Sequence, residues 1–402
     1  MNIKKQIKKL YFFQTVNALN IADSVWVLFL LSRGFTLMEI GLAEGFFHLV
    51  SFLCEVPSGM AADLLGRKRA MAASCISSLL SALLMALSTN FAGVCASMGF
   101  CALGYNLLSG TLEALTYDSL LIAGQADQYI KVSSVQNTIY RIVQAISGLS
   151  SVIAVALGYM KVYLVSALLA MASAAIAYSL TEPLATKAQK HRQQNPFDDL
   201  FGRLRRQIRM SKDFLIHQPR ILWVMAADCS VACVTYLTYM LLQEHLVTAG
   251  VPRAIIGLPL LLIQLAGAIG VILAPRLKAR FFKISLGCAA GAGLGTLSAG
   301  SNILPIILAG ASFAQAADGI IDLHTDNHLN QKFPSDQRAT LVSINSILYS
   351  CMMIIASPIA GWVCNLWSVT TGLAVLGITL ILSTCVCGII YVIHGKQKQN
   401  RK

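Results

Sequence analysis

Apolar stretches of some twenty residues recur along nearly the whole chain with short polar turns between them, and a helix needs about 20 such residues to cross a bilayer. Twelve segments qualify: roughly 10–32, 39–62, 70–89, 91–121, 134–157, 162–180, 221–243, 254–274, 284–300, 303–328, 339–363 and 369–393. With 56% hydrophobic and only 12% charged residues among 402, there is more apolar sequence than one soluble core can bury. Lipid is therefore the solvent for most of it. Lys4, Lys5, Lys8 and Lys9 precede the first segment and no small-residue cleavage site follows it, so it is expected to stay as a helix and not to be removed as a signal peptide.

The cations set an orientation. Placing alternate loops inward collects 27 of the 31 Lys and Arg on one side, leaves Arg33, Lys161 and Arg253 on the other, and puts Arg141 inside the fifth segment. Both termini are then expected in the cytoplasm, with the chain multi-pass in the cell membrane. The net charge of +13 thus reports topology. A nucleic-acid partner would need its basic residues gathered on a folded polar domain, and none is expected here.

Between the second and third segments stands Gly59-Met-Ala-Ala-Asp63-Leu-Leu-Gly66-Arg67-Lys68-Arg69. Glycines permit a tight turn, an acid can face a helix N-terminus, and the three cations suit an inward loop. A basic stop-transfer cluster would explain Arg67, Lys68 and Arg69 but not the spaced Gly59, Asp63 and Gly66. The run resembles the loop between helices 2 and 3 of the major facilitator superfamily, Gly-x3-Asp-x2-Gly-Arg-Arg/Lys. Phe52 to Gly59, Glu113 to Leu120 and Arg338 to Ser343 look like segments of its bacterial drug-efflux-like branch. In the fifth segment, Gly148-Leu-Ser-Ser-Val departs from the Gly-x3-Gly-Pro run of many drug/proton antiporters.

The resemblance implies an all-α integral membrane fold, with twelve transmembrane helices in two pseudo-symmetric six-helix bundles. Residues 1–180 would form the first bundle, 181–220 a polar cytoplasmic linker with a possible amphipathic stretch at 197–214, and 221–402 the second. Internal repetition supports this independently of the family. Glu113-Ala-Leu-Thr116-Tyr-Asp118-Ser-Leu120 matches Asp322-Leu-His-Thr325-Asp-Asn327-His-Leu329 at an offset of 209, and a second echo pairs Gly34, Gly41 and Leu42 with Gly250, Gly257 and Leu258. The second-half counterpart of the signature run, Pro275-Arg-Leu-Lys-Ala-Arg280, keeps cations but lacks the acid and the glycines.

Charge at bilayer depth costs about 2.5–3.5 kcal/mol on insertion scales and is tolerated facing a bundle interior. Helices 3, 6, 9 and 12 contain no Asp, Glu, Lys, Arg or His, which makes every third helix outermost. Asp23, Glu44, His48, Arg141, Asp228 and Asp318 are candidates for proton coupling or substrate binding. Glu44, His48 and Glu55 share one helical face, Asp23 and His48 are at similar depth, and Arg141 is an expected partner of Asp228 or Asp318. Glu55, Glu113, Asp118, Asp322 and Asp326 read as cytoplasmic gate candidates; the alternative for Glu55, just before Pro57, is a structural role holding the signature run, and for the other four it is that of solvated helix ends.

Asp322-x-His324-x-Asp326-x-His328 looks like a metal site, but on a helix the acids and the histidines fall on faces about 160° apart at the nearer pair, so one ion is not expected to be held by all four. The eleven cysteines contain no CxxC pair and read as small hydrophobes. Gly287, Gly291, Gly293 and Gly295 suit close packing. No P-loop, Ser-His-Asp set or HExxH is present, so no enzyme activity, cofactor or metal is expected.

The expectation is a secondary transporter, a monomer, whose bundles rock about a midplane cavity and whose partners are a small-molecule substrate, protons and lipid. Acids with aromatic walls such as Trp26, Tyr105, Trp223, Tyr236 and Tyr239 favour export of amphipathic cationic or neutral compounds. Proton-coupled uptake of a small metabolite is the alternative, and a non-transporting receptor on a transporter scaffold is the alternative from another class.

Overall fold

The computed structural model describes residues 2–22, 25–148, 157–183, 219–279, 281–332 and 338–399, with Gly202, Arg205 and Arg209 between them. Among these residues every regular element is helical. We number the α-helices α1 Ile3–Ala18, α2 Trp26–Ser32, α3 Leu37–Leu65, α4 Arg67–Leu87, α5 Phe91–Leu108, α6 Thr111–Ile122, α7 Tyr129–Gly148 and α8 Tyr159–Ser179. The second half continues with α9 Pro219–Thr248, α10 Gly257–Leu273, α11 Phe281–Ala299, α12 Leu304–Lys332, α13 Arg338–Leu366 and α14 Val369–Gln399.

Local chemistry explains several boundaries. Thr36 and Glu39 form a capping box ahead of α3: the Glu39 carboxylate accepts the Thr36 backbone N–H at 2.8 Å, and the Thr36 hydroxyl oxygen accepts the Glu39 N–H at 3.2 Å. Asn90 caps α5 by accepting the Gly93 N–H at 2.8 Å. The repeated glycines Gly34 and Gly250 end α2 and α9 in the same way. Both have positive φ, 88° and 94°, and in each case the glycine N–H reaches back three residues while the next N–H reaches back five. That is the Schellman arrangement, which a side chain with Cβ adopts only under strain.

Ten helical stretches among the described residues are long and apolar enough to cross a membrane. The two expected segments not among them are the first and the fifth. The first is broken: α1 begins at Ile3, so it takes in the four lysines, and it stops at Ala18, eight residues before α2. The fifth, expected over 134–157, starts earlier at Tyr129 and carries Lys131 and Arg141, with residues 149–156 outside those described. The expected 91–121 segment is also two helices, split at Gly110 with φ 69°. The possible amphipathic stretch at 197–214 falls almost wholly outside the described residues.

The chain divides into two compact units, one of residues 1–29 and 46–212, the other of 30–45 and 213–402. In the first, α4 packs against α5, α6 and α8, while α1 packs against α6, α7 and α8. Its core joins Leu10 and Phe13 of α1, Met71 and Cys75 of α4, Leu115 of α6 and Ala177 of α8. In the second, α11 lies against α12 and α14, α10 against α12, and α9 against α11, α12, α13 and α14. Ile221, Met225, Leu329 and Ile344 close the α9, α12 and α13 contact. Lipid is as apolar as these side chains, so close fit drives such association more than release of water does. At Gly295 of α11 an added Cβ would fall 2.5 Å from the Gly310 carbonyl oxygen and 2.8 Å from the Ala314 nitrogen of α12.

Candidate functional site

The signature run is less of a loop than its composition implies. Helix α3 continues to Leu65 and α4 starts at Arg67, so Gly66 alone makes the turn, with φ 95° and ψ 149°. Gly59 is a correction: it lies inside α3, and a Cβ added there would meet nothing within 4 Å, so neither turning nor close packing requires glycine. Asp63 lies in the last turn of α3, and its side chain is outside those described.

Arg67 and Lys68 are held from two directions. The Arg67 guanidinium donates to the Asp118 carboxylate and to the Ala114 carbonyl of α6, with the paired side chains only 19% and 8% exposed. Their backbone N–H groups, at 2.9 and 2.7 Å, are accepted by the two carboxylate oxygens of Glu182. A carboxylate at a helix N-terminus meets both the unpaired donors and the positive end of the dipole. Glu182 is itself located by the N-terminal helix. The Gln6 amide donates to the Thr181 carbonyl at 2.9 Å and accepts the Thr181 N–H at 3.1 Å, and Lys9 donates to the Ser179 carbonyl. Asp118, expected at the gate, thus fastens the turn, whereas Glu113 and Arg69 are exposed and Glu55 is half-buried. The Ser58 hydroxyl donates to the Glu55 carbonyl at 3.1 Å next to the helix-interior Pro57.

Deeper in the first unit, Ser51 and Asn106 bond reciprocally, the hydroxyl to the amide oxygen at 2.9 Å and the amide nitrogen to the Ser51 carbonyl at 2.6 Å. Gln136 donates to the Thr116 hydroxyl at 3.1 Å. His48 is 6% exposed and stands edge-on to Phe47, which in turn faces Tyr105. Arg141 is exposed on α7, where Gln144 donates to the Tyr140 hydroxyl at 3.3 Å. Asp23 lies outside the described residues.

The second unit carries the other cluster. Asp228 of α9 is 7% exposed, and its acidic neighbours are Asp318, Asp322 and Asp326 of α12. Those three recur every fourth residue, which sets them on one stripe with a step of about 6 Å. Thr325 faces Asp228, is 3% exposed, and its hydroxyl has no hydrogen-bond partner of good geometry. Thr235 lies beside Asp318 while donating to the Val231 carbonyl at 2.9 Å. Cys229 donates to the Asn345 amide oxygen at 3.2 Å. Glu44, 3% exposed, is close to Cys233 within this unit. Through this unit's spans, Lys and Arg occur only near the ends: Arg253, Arg276 and Lys283. Of the four carboxyls Asp228 is buried and Asp318 half-buried, whereas Asp322 and Asp326 are exposed.

His324 and His328 do not join that cluster, and no three His, Cys, Asp or Glu side chains among the described residues are placed to hold a metal ion. Glu182, Gln6 and the Ser51–Asn106 pair carry no sequence motif, and Thr116 and Thr325 stand out in sequence only as matching positions of the repeat. Glu182 had one signal, its place directly before Pro183 at the end of an apolar run.

Apolar spanning helices and a fastened interhelical turn define a multi-pass membrane protein. The chain belongs to the Major Facilitator Superfamily, whose description it matches over residues 11–327. It is 31% identical over 96 residues to an uncharacterized MFS-type transporter, YxaM, of Bacillus subtilis (strain 168), a match that spans 24% of each chain. Its fold is similar to that of the nucleoside transporter NupG, with a TM-score of 0.77 for a point mutant and 0.67 for another structure of that protein, at 12% and 13% identity; each comparison covers 98% of this chain and 99% of the other. A D-xylose-proton symporter gives 0.66 at 13% identity, covering 96% and 95%. At those identities the likeness concerns the fold.

Proposed function

We propose that this transporter is a proton-coupled exporter of small amphipathic cationic or neutral compounds, working by alternating access as a monomer in the cell membrane with both termini in the cytoplasm. The observation that carries the reading is the second unit's acid cluster, buried Asp228 of α9 with Asp318, Asp322 and Asp326 of α12 as its acidic neighbours. A carboxyl buried as Asp228 is loses solvation when charged, so it binds either a proton or a cationic substrate group. A site that holds one or the other in turn exchanges them, and exchange against an inward proton gradient moves the substrate out. Cation–π contact with Tyr236 and Tyr239 on α9 suits the same substrates. Arg141 and Asp23 stay in this proposal as further coupling candidates.

Proton-coupled uptake of a small metabolite is the second reading, favoured by the shared fold with a D-xylose-proton symporter. Energised inside-out vesicles, assayed with a panel of cationic and neutral compounds, decide between them. Substrate accumulation with alkalinisation of the lumen supports export, proton-driven loss of substrate from the lumen supports uptake, and saturable binding without flux overturns both.

A further inference from the structure

The two histidines of the Asp322-x-His324-x-Asp326-x-His328 run have partners on the opposite side of α12 from the acid stripe. His324 donates through Nε2 to the Ala274 carbonyl at 3.0 Å, at the end of α10. Only a proton on that nitrogen makes the bond, because a carbonyl oxygen can only accept. The His328 ring lies flat on Phe281, the first residue of α11, with ring centroids 4.1 Å apart and planes 7° from parallel. Four residues apart, the two rings share one face of α12. One grips the helix that enters the α10–α11 turn, the other the helix that leaves it, and the turn Ala274–Arg276 lies against both α10 and α12.

In the first unit the equivalent turn is held by charge, Arg67 to Asp118 and Glu182 to the start of α4. At the offset of 209 the position of Asp118 is taken by Asn327, so the second unit offers no acid there. Asp322 and Asp326 are electrostatic neighbours of Asp228 on α9. The described cations of the second turn, Arg276 and Lys278, thus meet no acid at the position equivalent to Asp118.

We propose that His324 and His328 are positioning residues that fasten the α10–α11 turn to α12 through ring contacts, where the first unit uses an ion pair. The turn and its cations then move with the helix that carries the acid stripe. The assignment stands whichever way the substrate moves.

Hydrogen–deuterium exchange on the full-length protein in nanodiscs tests it, with no substrate required. His324→Ala and His328→Ala should each raise exchange of residues 274–279 about ten-fold while residues 66–70 exchange as in the wild type. His324→Gln, which keeps a donor, and His328→Phe, which keeps a flat ring, should stay within about two-fold of wild type. Protection should also persist in 1 M KCl, which screens exposed charges within about 3 Å. Unchanged exchange in both alanine variants overturns the proposal. So does loss of protection in the Gln and Phe variants equal to that in the alanine variants, or release of the turn by salt.

Discussion

Glu182 accepts the Arg67 backbone N–H at 2.9 Å and thereby joins the end of α8 to the first turn of α4. With its second oxygen on Lys68, the carboxylate is a helix cap supplied from 115 residues away in sequence. Replacing it by Ala should lower stability by about 1–2 kcal/mol, the range for losing a cap and a favourable charge at a helix N-terminus. Glu182→Gln should lose less, since its amide oxygen still accepts one N–H. Thermal unfolding in detergent, followed by tryptophan fluorescence, measures both. Equal losses would mean that the negative charge, and not the acceptor, sets the effect.

Arg67→Gln and Asp118→Asn should each reduce transport while the protein still reaches the membrane, because the pair biases which packing the turn adopts. In a stability cycle the two changes should be non-additive by about 1 kcal/mol or more, as expected for partners in contact. Additive losses would dissolve the pair as an energetic unit, and normal flux in both variants would remove the turn from the transport cycle.

Asp228→Asn should abolish movement driven by a pH gradient yet leave exchange of substrate down its own gradient. Membrane insertion should be normal, since the amide carries no charge into the bilayer. Thr325→Val makes a complementary test. Removing a buried hydroxyl that lacks a good partner should leave stability unchanged or raise it by up to about 1 kcal/mol, while weakening transport if the hydroxyl serves a ligand at Asp228. Gradient-driven flux that survives Asp228→Asn would move the coupling site elsewhere, with Glu44 next to test.

Gly295→Val and Gly59→Ala form a contrast between two glycines. The first drives a side chain into the Gly310 carbonyl across the α11 and α12 contact and should cost about 1–3 kcal/mol or more. The second adds a methyl to open space in a helix interior and should gain about 0.5–1 kcal/mol. Chemical denaturation of the purified protein separates them, and a destabilised Gly59→Ala would show that the site contacts something beyond its surroundings in this conformation.

Much of the architecture was legible because membrane spans are written in long, simple runs. The repeat was legible too, and Gly34 and Gly250 show why: an identical backbone reversal leaves an identical glycine. The break after Ala18 was not, since residues 19–22 remain apolar enough to look continuous with α2. Nor does a continuous helix announce that Leu30–Gly45 groups with the second unit while the rest of α3 groups with the first. At the sites, charge inside an apolar run pointed to Asp228 and Asp118. It could not point to Glu182, whose role depends on a partner far along the chain, or to Gln6, which sits in a lysine-rich stretch and yet is 3% exposed.

The single-residue turn at Gly66 has a consequence for handling the protein. Arg67-Lys68-Arg69 offers trypsin three adjacent cleavage sites in the polar gap between two spans, where a protease would ordinarily cut first. A protease must draw several residues into an extended strand, and here those residues are the opening turn of α4, with Arg67 fastened by Asp118 and the backbone by Glu182. Resistance of this site to limited digestion is thus a direct gauge of whether a preparation is folded.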